Sequence, residues 1–188
     1  MFVFWSEPSP ILHYSPTILS EGSNKIDIWG VFYISTILSL DQAKDCGWAV
    51  FEKNTKKLIN YGDESFQKYK DYDDAIFHIK IFMIELIKQY DVEFVTIEDI
   101  YSMNKQVYGK LAKLQGVLIN CLLELEIDFK VIPAVTWKSY LKISKGSKTK
   151  RKEEKKASVQ FVKDKFGVEV SNNTSDAICM GYYILNSK

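Results

Sequence analysis

The chain has 188 residues, 46% hydrophobic and 26% charged, which is long enough to bury a full core as one globular domain and too apolar to stay disordered. Its three cysteines, Cys46, Cys121 and Cys179, are odd in number and form no CxxC pair, which excludes a disulfide framework and a zinc knuckle and fits a reducing compartment. The net charge of +1 conceals an asymmetry, because residues 137–166 carry eleven Lys/Arg against three acids, a surplus of +8 that leaves the remainder at −7.

In chain order, residues 1–35 show no clear periodicity and hold three of the four prolines, so they read as an irregular N-terminal extension. Met1 to Trp5 lacks a basic flank and runs into Glu7, Pro8 and Pro10, a poor signal peptide. The apolar stretch Ile28 to Leu40 is too short to span a bilayer and is broken by Gly30, Ser35 and Ser39, so no membrane role is expected. From Thr36 the signals become regular, and residues 36–188 are expected to form one domain. Thr36 to Asp41 reads as a buried strand ending in a carboxylate, Gln42 to Cys46 as a turn, and Gly47 to Glu52 and Leu58 to Tyr61 as two further strands of a meander. Asp71 or Asp73 caps a long helix in which Tyr72, Ile76, Ile79, Met83, Leu86, Ile87 and Tyr90 form one apolar stripe.

Phe94 to Glu98 is a fourth strand that again closes on an acid. Lys105 to Glu126 is a second helix with Leu111, Leu114, Leu118 and Leu122 along one side. Phe129 to Ile132 is a fifth strand, stopped by Pro133, and a short helix surrounds Thr136 to Leu141. Ser144 to Thr149 is a flexible basic linker. Lys152 to Phe166 is a helix ended by Gly167, and Ser171, Asn172 or Asn173 can cap the last helix. This order predicts an α/β fold, a mixed five-stranded sheet flanked by helices.

Two strands end in an acid, Asp41 and Glu98, at positions that otherwise belong to the core. An ionised carboxylate there needs compensation, commonly by a cation. For one such acid, a strand simply reaching water is the simpler reading. Asp176, on an otherwise apolar helix face, tips the balance toward a cation site, and oxygen ligands from separate elements suit Mg²⁺. Zinc does not fit, because His13 and His78 lie at no ligand spacing with Cys or His. Neither GxGxxG nor GxxxxGK[ST] occurs, so no nucleotide cofactor is expected. The basic block is the footprint of a polyanion grip or, with equal weight on charge alone, a solvated Lys-rich helix.

Ile37 to Val50, containing Asp41 and Gly47, then Val95 to Tyr101 and then Ser175 to Gly181 resemble, in order and spacing, the three acidic motifs of the RuvC family of Holliday-junction resolvases. The short form and the Asp-Gln pair look most like the RuvC-like endonucleases of phages and prophages. The resemblance implies a ribonuclease H-like fold and a structure-selective endodeoxyribonuclease that cuts phosphodiesters at four-way junctions in DNA recombination, repair or phage DNA processing. It further implies Asp41, Glu98 and Asp176 as catalytic and metal-binding residues, with two Mg²⁺ ions for which Mn²⁺ substitutes. Tyr101 falls where the family has an aromatic that stacks on an unpaired base. Lys138 and Lys155 or Lys156 match its DNA-contacting positions, and the surrounding Lys148, Lys150, Arg151 and Lys152 join them as phosphate contacts. Helix 105–126 corresponds to the family's dimer-forming helix, so a homodimer is expected, working in a bacterial cytoplasm.

One position departs from the pattern. Asn173 stands where the family has an acid, one turn before Asp176, and can offer a metal its carbonyl without charge. Either the ion site is weaker, or Asp99 or another acid substitutes, or the enzyme is impaired. The first is favoured: an active nuclease with a raised Mg²⁺ requirement. The alternatives are a relaxed branched-DNA nuclease and a catalytically silent DNA-binding protein. An ATP-binding relative of actin and the sugar kinases is disfavoured by the single domain and the lack of a second Gly-rich phosphate loop.

Overall fold

The computed structural model describes residues 35–144 and 151–187, all within one compact unit. The expected extension, except Ser35, and the basic linker with Lys148 and Lys150 therefore lie outside the described residues. Five strands, β1 (Thr36–Asp41), β2 (Asp45–Glu52), β3 (Leu58–Ser65), β4 (Val92–Glu98) and β5 (Asp128–Ile132), form one sheet in the order β3-β2-β1-β4-β5. The first three pair antiparallel as a meander, whereas β4 lies parallel to β1 and β5 parallel to β4. The helices are α1 (Tyr72–Tyr90), α2 (Lys105–Glu124), α3 (Ala134–Tyr140), α4 (Arg151–Phe166) and α5 (Asn172–Asn186).

Every expected element is present, with shifted ends. β3 runs on to Ser65 rather than stopping at Tyr61, because Gly62 to Ser65 keep pairing with β2 although they carry no apolar signal. β2 begins at Asp45, so the intervening turn is shorter than expected. α2 ends at Glu124, where Leu125 closes the helix through its N–H to Cys121 O.

The central strand β1, antiparallel to β2 and parallel to β4, is covered on both faces, as a strand with helices on each side should be. Its alternation sorts the side chains. Leu38 and Leu40 face a core that includes Ile79, Met83 and Leu86 of α1 and Leu114, Leu118 and Leu122 of α2. Ile37 faces the opposite core, built with Trp137, Val162, Ala177 and Ile178 from α3, α4 and α5. Burying each of these large side chains contributes roughly 1.5–3 kcal/mol. By the same parity Ser39 and Asp41 turn toward α5, and Ser39 Oγ donates to Ala177 O at 2.7 Å.

Two glycines let α5 lie directly on the sheet. A Cβ on Gly47 would sit 2.1 Å from Asn173 O, and one on Gly181 2.4 Å from the Phe51 ring. The N-terminus of α5 is capped by Ser171, whose Oγ accepts from Thr174 N at 3.2 Å.

Candidate active site

Asp41 and Glu98 end neighbouring parallel strands at the same edge of the sheet, since Leu40 and Ile97 are paired one residue earlier. Phe94 packs in the α3–α4–α5 core, so strand parity turns Glu98 to the same side as Asp41. Asp176 joins them from the second turn of α5, which is tied to β1 through the Ser39 bond to Ala177. The three carboxylates therefore reach one region from three separate elements.

Their titration records the crowding. Burial first, then the charges of Glu98 and Asp176, hold the Asp41 carboxyl well above the usual range. Burial, followed by the Asp176 charge, pushes Glu98 up to about 7. Burial likewise raises Asp176. Opposing this, Lys138 favours the ionised form of all three, Lys155 that of Asp41 and Asp176, and Arg151 that of Glu98. Carboxylates that repel one another out of water favour whatever neutralises them, a proton or a cation. Among the described residues no group of three or more His, Cys, Asp or Glu side chains is arranged to hold a metal ion as it stands. The donor set is nevertheless oxygen-only, and Asp176 Oδ1 is buried without a hydrogen-bond partner. These residues fit a hard divalent ion.

Glu98 is held at several points. The fully buried Trp137 donates its indole N–H to Glu98 Oε1 at 3.0 Å. Gln42 and Gln115 both donate to the Glu98 backbone oxygen, at 3.0 and 3.4 Å. Trp137 belongs to the core, but its polar atom serves the site. A buried indole must find an acceptor, and that requirement is the signal that pointed here.

Lys138, expected as a DNA contact, is largely enclosed. Its Nζ lies 3.4 Å from Glu154 Oε2, with both side chains only 18% exposed, and 5.1 Å from the centre of the Trp137 ring. It is the cation that all three acids feel. Arg151, Lys152, Lys155 and Lys156, by contrast, share one side of α4 at helical spacing and line an open pocket of about 500 Å³ with Asn172. Tyr101, in the loop leading from β4 to α2, is 82% exposed, and the neighbouring Met103, which sequence reasoning missed, is 84% exposed.

Asn173 is half-buried in the first turn of α5, its backbone carbonyl pressed over Gly47. Asp99 is exposed and accepts from Ile100 N at 2.9 Å, occupied with its own turn. A further acid missed in the sequence, Asp63 of β3, pairs in register with Gly47 and accepts from Thr174 Oγ1 at 3.0 Å, fixing the same turn of α5 from the other side. His78 stacks on Tyr69 at 3.9 Å, a packing role as expected.

The fold is shared with solved resolvases. RuvC of Thermus thermophilus, in complex with a Holliday junction substrate, superposes with a TM-score of 0.62 at 12% identity, over 80% of this chain and 94% of that one. The yeast mitochondrial Holliday junction resolvase Ydc2 gives 0.58 at 14% identity over 81% and 78%. The fowlpox virus Holliday junction resolvase gives 0.51 at 14% identity over 81% and 98%. At such identities the likeness establishes the ribonuclease H-like architecture. No curated protein matches the sequence. The family described as crossover junction endodeoxyribonuclease RuvC matches residues 37–180, a span that holds all three acids, so the chain belongs to the RuvC family.

Proposed function

We propose that this protein is a divalent-metal-dependent endonuclease that cuts four-way DNA junctions, with Asp41, Glu98 and Asp176 holding the ions. The observation that carries this reading is the delivery of three largely enclosed carboxylates to one region by β1, β4 and α5, where burial works against the charge of each. Asp41, Glu98 and Asp176 would hold the ions, two Mg²⁺ on this reading, whose chemistry would be to activate a water and to stabilise the leaving 3′ oxygen. The protein's own residues do the rest. Trp137 fixes the Glu98 carboxylate, and Lys138 moderates the charge of the three acids. The cationic side of α4 holds phosphates next to them, and exposed Tyr101 offers a ring for an unpaired base.

Two nicks across a junction require two such sites, and α2 supplies a surface for pairing. Its Val107, Tyr108 and Leu123 are exposed, and a Cβ on Gly109 or Gly116 would meet nothing within 4 Å. Homodimerisation through this helix completes the proposal. Asn173 leaves the ion site one charge short, so the enzyme works with a raised Mg²⁺ requirement.

The test is a labelled four-way junction incubated with Mg²⁺ beside a linear duplex control. Symmetric nicks in the junction alone, abolished in Asp41→Asn with junction binding retained, are the expected result. Equal cutting of forks and flaps without symmetry would select a relaxed branched-DNA nuclease. Binding without cutting at any Mg²⁺ concentration would refute the enzymatic reading. Asn173→Asp should lower the Mg²⁺ concentration for half-maximal cutting, and an unchanged value would remove Asn173 from the ligand set.

A further inference from the structure

A lysine normally buries its aliphatic stem and keeps the ammonium in water. Lys138 does not: its side chain is only 18% exposed, although in the last turn of α3 it could serve the helix dipole from the surface. Its pairing with Glu154 does not account for the enclosure. The exposed pairs Lys113–Asp73 and Lys163–Glu169 close to 2.6 and 2.7 Å, whereas Lys138 and Glu154, where attraction is least screened, stand 3.4 Å apart. The ammonium is shared rather than paired.

What shares it is the acid cluster. Lys138 Nζ lies 5.1 Å from the centre of the Trp137 ring, whose indole N–H holds Glu98 Oε1 at 3.0 Å. Glu154 sits one turn before Ser158 on the same face of α4, and the completely buried Ser158 is near enough to Asp176 to favour its ionised form. Lys138 is therefore tied both to the residue that fixes one acid and to the helix face that meets another. At each of Asp41, Glu98 and Asp176 its attraction exceeds that of Lys155 or Arg151, which line the open pocket.

A positive charge beside three carboxylates stabilises them while no ion is bound and repels a divalent ion that enters. We propose that Lys138 is an internal counter-ion of Asp41, Glu98 and Asp176 that competes with the divalent ion, and that Glu154 is the positioning residue that takes up the ammonium as the ion enters. This rests on the metal site proposed above. Lys138 then adds to the Mg²⁺ demand that Asn173 already raises.

The test is thermal unfolding of the whole protein at pH 8, in EDTA and against Mg²⁺ alone, for wild type, Lys138→Met, Glu154→Gln and the double variant. Lys138→Met should unfold below wild type in EDTA, since the acids lose their strongest cation. Its half-saturating Mg²⁺ concentration should nevertheless fall about tenfold, the smallest change that a nearby unit charge typically makes to the proton affinity of a carboxylate. Glu154→Gln should raise the Mg²⁺ midpoint, because the ammonium then has only the acids to pair with. The double variant should share the midpoint of Lys138→Met, because Glu154 acts through Lys138. A Lys138→Met midpoint at or above that of wild type overturns the counter-ion role while the metal site stands. A Glu154→Gln shift that persists in the Lys138→Met background means that Glu154 acts on the ion directly and overturns its positioning role. Should Lys138→Met fail to fold, an unchanged midpoint in Glu154→Gln overturns the proposal. If wild type itself shows no Mg²⁺-dependent shift, and Asp41→Asn unfolds identically with and without the ion, the metal-site reading fails and takes this one with it.

Discussion

Replacing Glu98 by Gln should stabilise the fold while removing the activity, and the size of the gain depends on pH in a defined way. The Glu98 carboxyl is lifted from 4.5 to about 7 by burial first and then by Asp176. That displacement corresponds to about 3 kcal/mol of unfavourable energy in the ionised native state. Below pH 4.5 the group is protonated whether folded or unfolded, and the penalty vanishes. Between 4.5 and 7 the folded chain binds the extra proton, so stability falls as pH rises, and above 7 the full penalty is present. Gln cannot ionise, yet its amide oxygen still accepts from Trp137 Nε1, so the variant keeps the bond and sheds the charge. In EDTA at pH 8 the variant should unfold about 6–12 °C above wild type, at about 2–4 °C per kcal/mol for a chain of this size. At pH 4 the two should coincide. Added Mg²⁺ should narrow the gap at pH 8 by stabilising wild type more. A Tm difference of the same size at both pH values, or a less stable variant at pH 8, would refute the assignment of Glu98 as a strained, buried carboxylate.

Protons and Mg²⁺ should compete for the same acids: cleavage falls as pH drops below about 7, and raising Mg²⁺ moves that midpoint lower, as a pH–rate series at two Mg²⁺ concentrations will record. A midpoint indifferent to Mg²⁺ would count against carboxylate ligands. Lys152→Ala with Lys156→Ala, chosen because neither is among the cations acting on the acids, should weaken junction binding and reduce the slope of log K against log salt by about 2, read by titration at several ionic strengths. Tyr101→Ala should leave Tm unchanged, since the ring is 82% exposed, and weaken junction binding relative to duplex by about 1–3 kcal/mol if one base stacks there.

The three acids were legible because each breaks an apolar pattern at a place where charge is expensive, and strand parity in the structure turns Asp41 and Glu98 to one side. The meander, the helices and their caps followed from periodicity, with Asp71 and Ser171 serving as caps. What pattern reading missed depended on partners far away in sequence. Gly62 to Ser65 look like a polar loop, and only pairing with β2 makes them strand. Lys138 matched a DNA-contacting position of the resembled family, and its enclosure depends on Glu154, sixteen residues on. Trp137 gave no sign of its contact because the carboxylate its N–H meets lies on β4, far away in sequence. Asp63 gave no signal, since its link to Thr174 exists only once Gly47 has let α5 settle onto the sheet.

That seat has a consequence for when the chemistry switches on. The helix lying over Gly47 carries the third acid and is the last described element of the chain. A nascent or half-folded species with the meander and both α1 and α2 in place still presents only two of the three negative groups. On the function proposed above, such a species would lack the complete acid set until α5 is seated over Gly47.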